Sequence, residues 1–207
     1  MMILRGANAI VITVLFALLN TGCFVITSHH VSKPLGSAEA AEFHHPPQDD
    51  RYGWYVHHFR SSDFDLDTSV YNNTERLQIG FLFWVLPVPF FETQTRPEFE
   101  IGTDLWPKNK TLLLDPWRFE YIPGNKAPVK PSKILRFEAG SWKPLGRGQL
   151  PVSKPESLTI HFDAPADPDL PFKLRISGVS TAEETNFTYT IDFQGSRIIR
   201  AGFILPY

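Results

Sequence analysis

From Tyr52 onward, apolar and polar residues alternate with a period of two almost without interruption, a pattern that suits strands with one face in a core and the other in water. The stretch "SLTIHFD" puts Leu158, Ile160 and Phe162 on one side and Thr159, His161 and Asp163 on the other. "FKLRISGV" turns Phe172, Leu174 and Ile176 inward and Lys173 and Arg175 outward, and "NFTYTIDF" repeats the device with Phe187, Tyr189, Ile191 and Phe193. "YGWYVHHF", "LQIGFLFWVL", "PEFEIG", "WRFEYI" and "KILRFEAG" are strand-like too, separated by Pro- and Gly-containing connections such as "YIPGNKAP". A short "QGS" ahead of "RIIRAGFIL" predicts a C-terminal hairpin. Many short strands, 18 prolines and no helix–strand alternation predict an all-β chain: an antiparallel β-sandwich, immunoglobulin-like or related, with a β-barrel as runner-up.

Such a sandwich must stand on burial alone, because a single cysteine, Cys23, excludes an intramolecular disulfide. A chain of 207 residues, 43% hydrophobic and 14% aromatic, can supply that core. Its formal charge of -2 provides no whole-chain field to attract a polyanion, so no nucleic-acid partner is expected.

The N-terminus carries Arg5 and then an uncharged run from Gly6 to Ser28, the layout of an export signal. Cys23 follows the small residues Thr21 and Gly22. This resembles the bacterial lipoprotein signal, in which a peptidase cuts before a cysteine thioether-linked to diacylglycerol; Asn20 departs from the apolar residue that the pattern usually carries at its position. The resemblance implies lipidation at Cys23, membrane lipid as a partner through the N-terminus, and an extracytoplasmic location in the bacterial periplasm or at the outer membrane. An uncleaved N-terminal membrane anchor, or a secreted product of ordinary signal cleavage, is the alternative. N-x-T sequons at Asn72, Asn109 and Asn186 would suit a glycosylated secretory protein instead. Between Ser28 and Asp50 prolines, small residues and charges replace periodicity, which reads as a tether. The expected organisation is a signal segment at 1–22, the lipidated cysteine and a flexible tether at 23–51, and a single β domain at 52–207.

Within the body, "FDAPADPDLPFKLRISGV" is similar to the C-terminal part of uncharacterised bacterial envelope proteins that are predicted to be β-rich. That likeness implies a fold and brings no activity with it.

Six of the 7 histidines fall in adjacent pairs, His29-His30, His44-His45 and His57-His58, and neutral imidazoles suit zinc, copper or nickel. In an extended strand, however, His57 and His58 point to opposite faces. There is neither a thiolate partner nor an H-E-x-x-H spacing. No metal site is therefore assigned, with His44, His45, His57 and His58 as the candidates if one exists. Catalysis is not expected: a G-x-S-x-G elbow is absent, Ser141 in "AGSWKP" sits at a turn, and His161 and Asp163 share a polar face by simple alternation. Asp63, Asp65 and Asp67 in "SSDFDLDTS" read as a solvated acidic connection rather than a calcium loop, and no glycine loop that would cradle a phosphate occurs. No cofactor is expected.

The most unusual stretch is "LPVPFF", in which Pro87 and Pro89 end a strand that starts near Leu77 while aromatic side chains continue to be laid down. Leu86, Pro87, Val88, Pro89, Phe90 and Phe91 are either an apolar turn closing the core or an exposed interaction surface for lipid or an envelope protein partner. The expected protein is a membrane-anchored envelope lipoprotein with a non-enzymatic binding or structural role, the alternative being a periplasmic metal-binding protein using its paired histidines.

Overall fold

The two-residue alternation is realised as antiparallel strands in the computed structural model, which describes residues 23–36, 41–44, 54–72, 74–81, 92–94, 98–108, 110–165, 167–180 and 187–204. The strands are β1 (Cys23–Pro34), β2 (Ala41–His44), β3 (Trp54–Arg60), β4 (Phe64–Val70), β5 (Thr74–Phe81), β6 (Glu92–Gln94), β7 (Glu98–Pro107) and β8 (Leu112–Leu114). After a 3-10 turn at Pro116–Arg118 come β9 (Glu120–Pro123), β10 (Pro131–Glu138), β11 (Ser141–Pro144), β12 (Leu150–Val152), β13 (Glu156–Pro165), β14 (Phe172–Ser180) and β15 (Phe187–Ile204).

The chain divides into two compact units, one of Met1–His29, Glu75–Thr93 and Ile198–Tyr207, the other of His30–Thr74 and Gln94–Arg197. In the first, the end of β15 and the start of β1 are followed in strand order by β5 and β6. The second unit is a β-sandwich. One sheet has seven strands in the order β11-β10-β13-β7-β4-β3-β2. The facing sheet runs β12-β8-β14-β15, with β9 also paired to β14. Both sheets are open, so the sandwich, and not the barrel, is the architecture.

Alternation sorts the residues as the sequence predicts. Leu158, Ile160, Phe162, Phe172, Leu174, Ile176, Ile191 and Phe193 are buried, while Lys173 and Arg175 are exposed. The core adds Leu66, Phe99, Ile101, Leu105 and Tyr121, and each such side chain contributes on the order of 1.5 to 3 kcal/mol by leaving water. Phe99 stacks on Tyr121 with ring centroids 3.9 Å apart and meets Phe172 at 5.1 Å, and Phe172 stacks on Phe193 at 4.7 Å, tying the two sheets together.

One edge of β14 is shared end to end, by β9 along Phe172 to Arg175 and by β8 at Val179 and Ser180. Between them Gly178 adopts φ +86°, and a Cβ there would lie 2.7 Å from the Asp115 carbonyl oxygen, so the strand can pass the 3-10 turn only with glycine at this position.

Four local expectations differ from the structure. Within the stretch read as a tether, β1 and β2 are strands, and Ser28, His29, His30, Val31 and Ser32 are buried. Periodicity missed β1 because its polar side chains are sheltered and bonded: the His30 ring Nδ1 lies 2.6 Å from Asp169 Oδ1, and Asn72 Nδ2 donates to Ser32 Oγ over 2.8 Å. The "QGS" stretch is no hairpin turn, since β15 continues straight through it. Gly195 serves close approach instead, a Cβ there meeting the backbone of Pro168 and Asp169 at 3.0 Å. The acidic "SSDFDLDTS" is mostly strand β4, with Phe64 and Leu66 inward and the outward Asp65 paired to Lys108 at 2.8 Å. Finally, "WRFEYI" begins in the 3-10 turn and becomes a strand only at Glu120.

Candidate functional site

The outer face of the seven-stranded sheet carries a cleft of about 320 Å³ lined by Tyr71, Glu100, Leu135, Trp142, Thr159 and His161. Register explains how these residues meet. His161 on β13 is opposite Glu100 on β7, Thr159 is opposite Gly102 on β7, and Leu135 on β10 is opposite Thr159. Two adjacent outward rows therefore set an imidazole, a carboxylate and a hydroxyl side by side on a rigid ladder. His161 Nδ1 lies 3.8 Å from Glu100 Oε2, and Glu100 and Thr159 are buried although they face outward.

One wall exists because Gly102 has no side chain. The Tyr71 phenol occupies that space, and a Cβ on Gly102 would come within 2.9 Å of its ring and hydroxyl. Tyr71 is held there by its backbone N–H donating to the Glu100 carbonyl at 2.9 Å and by an edge contact with Trp54, ring centroids 5.5 Å apart. The opposite wall is the hairpin of β10 and β11. Its two-residue turn has positive φ at both Ala139 (51°) and Gly140 (79°), as a type I′ turn requires. The turn sets Phe137 directly across from Trp142. Their rings touch at 5.2 Å, and both stay about half exposed, at 47% and 48%, which is unusual for large apolar groups on a polar face.

A second cavity of about 350 Å³ opens at the end of the aromatic stack, between the β9–β10 connection and the loop after β13. Tyr121, Pro123, Leu170 and Pro171 make it apolar, with Lys126 and Asp167 at its rim. Burial first and the Asp167 charge second push the Tyr121 phenol up to about 12, so it stays a neutral hydroxyl at physiological pH.

The residues singled out from the sequence are dispersed. His57 and His58 lie on opposite faces of β3, as expected. His58 Nδ1 bonds Asp67 Oδ1 at 2.9 Å on the outside, where Asp67 also pairs with Arg60 and raises the guanidinium's pKa further. His57 points inward, 3% exposed, with Nε2 3.3 Å from the Tyr189 hydroxyl. Burial, and then the neighbouring His58, hold the His57 pKa below its ordinary value, so this imidazole is neutral. His57 lies opposite Thr68, and Thr68 opposite Thr103, so three polar side chains form one inward row on β3, β4 and β7. Among the described residues, His57 Nδ1 and the two threonine hydroxyls have no hydrogen-bond partner.

Among the described residues no group of three or more His, Cys, Asp or Glu side chains could hold a metal ion. His45 and Leu86, Pro87, Val88, Pro89, Phe90 and Phe91 lie outside the described residues, as do the side chains of Cys23 and His44. Ser141 opens β11 just after the hairpin turn, its hydroxyl donating to the Glu138 carbonyl at 3.3 Å. The Asn72 sequon is closed to a glycan in the folded state, because the Nδ2 atom that would carry the sugar is the buried donor to Ser32.

Sequence reading did not find the cleft. The one available signal was two aromatic residues, Phe137 and Trp142, on what should be a solvated hairpin. Comparison with protein-family models, curated proteins and solved structures finds no match to this chain.

Proposed function

We propose that this chain is an envelope lipoprotein, acylated at Cys23 and held on the extracytoplasmic side of a membrane, whose β-sandwich binds a ligand without transforming it. The observation that carries the binding role is the outer-face cleft, in which half-exposed Trp142 stands across a mixed polar floor from Tyr71. Large apolar rings left in water beside sheltered polar groups are characteristic of surfaces that gain by being covered. The anchoring half rests on the export-type run and on Thr21 and Gly22 preceding Cys23. The paired-histidine metal reading draws no support from the geometry, since His57 and His58 diverge and His30 is engaged by Asp169.

Intact mass spectrometry of the full chain, expressed in bacteria and extracted from membranes, tests the anchoring. The expected species starts at Cys23 and carries the mass of a diacylglyceryl group with or without a further acyl chain. A full-length mass from Met1 without acyl groups overturns the lipoprotein reading in favour of an uncleaved anchor. The binding role is tested by capture of solubilised envelope material on the immobilised protein, which the double variant Tyr71→Ala/Trp142→Ala should lose; equal capture by that variant removes the cleft from the function.

A further inference from the structure

We infer that the tip of the β10–β11 hairpin docks onto an anionic phospholipid bilayer, its two exposed rings entering the headgroup layer and the surrounding cations meeting lipid phosphates. Such docking goes beyond ligand binding in the cleft, and choosing lipid over other polyanions rests on the membrane-held reading.

Charge is unevenly spread along the chain. Acids outnumber bases by 22 to 20 overall, yet from Lys133 to Glu156 the bases are Lys133, Arg136, Lys143, Arg147 and Lys154, against Glu138 and Glu156 alone. The excess of positive charge falls on one edge of the sandwich, since β11 is the last strand of its sheet. Every residue from Phe137 to Pro144 is exposed, so the end of the hairpin stands clear of the core.

The fold gathers the cations about that end. Glu138, beside the turn, accepts a hydrogen bond from Lys143 Nζ at 3.1 Å; Lys143 first, then Arg136 and Lys154, hold its carboxyl below the ordinary range, so the one acid at the tip lies among three bases. Arg136 stands across from Lys143 in the register and is bonded in turn to Glu156. After β11, the Leu145 N–H donates to the Ile134 carbonyl at 2.9 Å, and Arg147 lies over the Trp117 ring at 5.3 Å.

Alternation then decides the shape of the patch. Phe137 and Trp142 face each other on the outer side of the ribbon, where Lys133 also stands, while Arg136 and Lys143 lie on the opposite side. A linear polyanion is best followed by a stripe of cations along one face. Cations on both sides of an exposed tip suit a charged plane approached end-on. The rings fit the same approach: they touch at 5.2 Å with a tilt of 58°, a wedge rather than the platform on which successive bases stack. Aromatic side chains of this kind settle at the level of lipid headgroups, and the Ala139-Gly140 turn between them adds neither charge nor bulk.

Hydrogen exchange of the full chain reconstituted into vesicles tests the docking, with pure phosphatidylcholine compared against about one-third phosphatidylglycerol. Only the lipid changes, so the readout is the same whether Cys23 is acylated or the apolar run is retained. Amides of residues 137–144 should exchange at least about fivefold more slowly on the anionic vesicles. Each basic residue near such a surface is worth about fivefold, so Lys133→Gln/Lys143→Gln/Lys154→Gln should abolish the slowing. Phe137→Ser should reduce it by about fivefold or more, and thermal melts matching the wild type should show that the variants are folded. Trp142 also lines the cleft, so Phe137, which does not, is the ring to replace. Tyr71→Ala, which removes a cleft wall, should leave the slowing intact. Equal exchange at the hairpin on the two kinds of vesicle overturns the docking, as does a slowing that survives the lysine variant. If polyglutamate or a mixed-sequence DNA duplex slows the hairpin and anionic vesicles do not, the basic edge serves that polyanion and lipid docking falls. None of these outcomes alters the capture test of the cleft, and a full-length mass from Met1 leaves the comparison of the two lipids standing.

Discussion

Strand β7 contributes to two very different parts of the sandwich interior, four residues apart on the same face. At one end Phe99 enters the stack with Tyr121, Phe162, Phe172 and Phe193, where every ring touches another. Farther along, Thr103 lies in register with Thr68 and His57, where three buried polar atoms lack a partner among the described residues. Backbone geometry is the same in both places; what differs is how completely each buried atom is compensated. The comparison teaches that alternation selects a face and guarantees nothing about what that face contributes once it is covered.

Removing a ring at the aromatic end gives the largest expected effect. Phe162→Ala should cost about 3 to 5 kcal/mol, because the truncated side chain loses its burial and leaves a cavity that the stacked neighbours cannot fill. Urea unfolding would show it, and a loss below ~1 kcal/mol would mean that the stack is loosely packed. Next comes the backbone that carries this end. Gly178→Ala should destabilise by about 1 to 3 kcal/mol, since it places a Cβ against the Asp115 carbonyl at a positive φ; an unchanged melting temperature would show that the 3-10 turn yields without cost.

At the polar row the sign reverses. Thr68→Val and Thr103→Val replace partnerless hydroxyls by methyl groups of similar size and should each stabilise by up to about 1 kcal/mol. Destabilisation in both would show that the hydroxyls are satisfied after all, and would erase the contrast with the aromatic end.

The smallest effect is a pH dependence. Because the folded pKa of His57 lies below its usual 6.5, the unfolded chain binds more protons as the pH falls through that value. The stability that neutral His57 provides is thus intact above about 6.5, declines below it, and levels off once the folded imidazole protonates as well. Melting temperatures compared between about pH 5 and pH 8 should show a shallower acid-side decline in His57→Phe than in the wild type; identical slopes would mean that another group governs the acid limb.

Much of the fold was legible, and the reason is local. On β13, β14 and β15 the apolar residues recur at every second position, so each buried face could be read from one strand alone. Strand β1 was not legible, because His30 and Ser32 read as solvated until Asp169 and Asn72, far away in sequence, bring their hydrogen bonds. The "QGS" stretch misled in the same manner: glycine serves turns and close approaches equally well, and only the loop after β13 shows which applies to Gly195. His161 and Glu100 were each visible as ordinary polar residues on outward faces. That they stand side by side depends on the pairing of β13 with β7, which no run of adjacent residues encodes.

The sequence by itself determined the class of architecture and the orientation of most strands, because period-two burial is a property of one strand and the solvent. Its single cysteine also set aside an intramolecular disulfide. Only the tertiary structure decided that Tyr71 fills the space above Gly102, that Trp142 and Phe137 meet across a hairpin, and that Glu100, Thr159 and His161 share one floor. Those are relations between strands, set by register and by the absence of one Cβ, and they exist only once the sheet has formed.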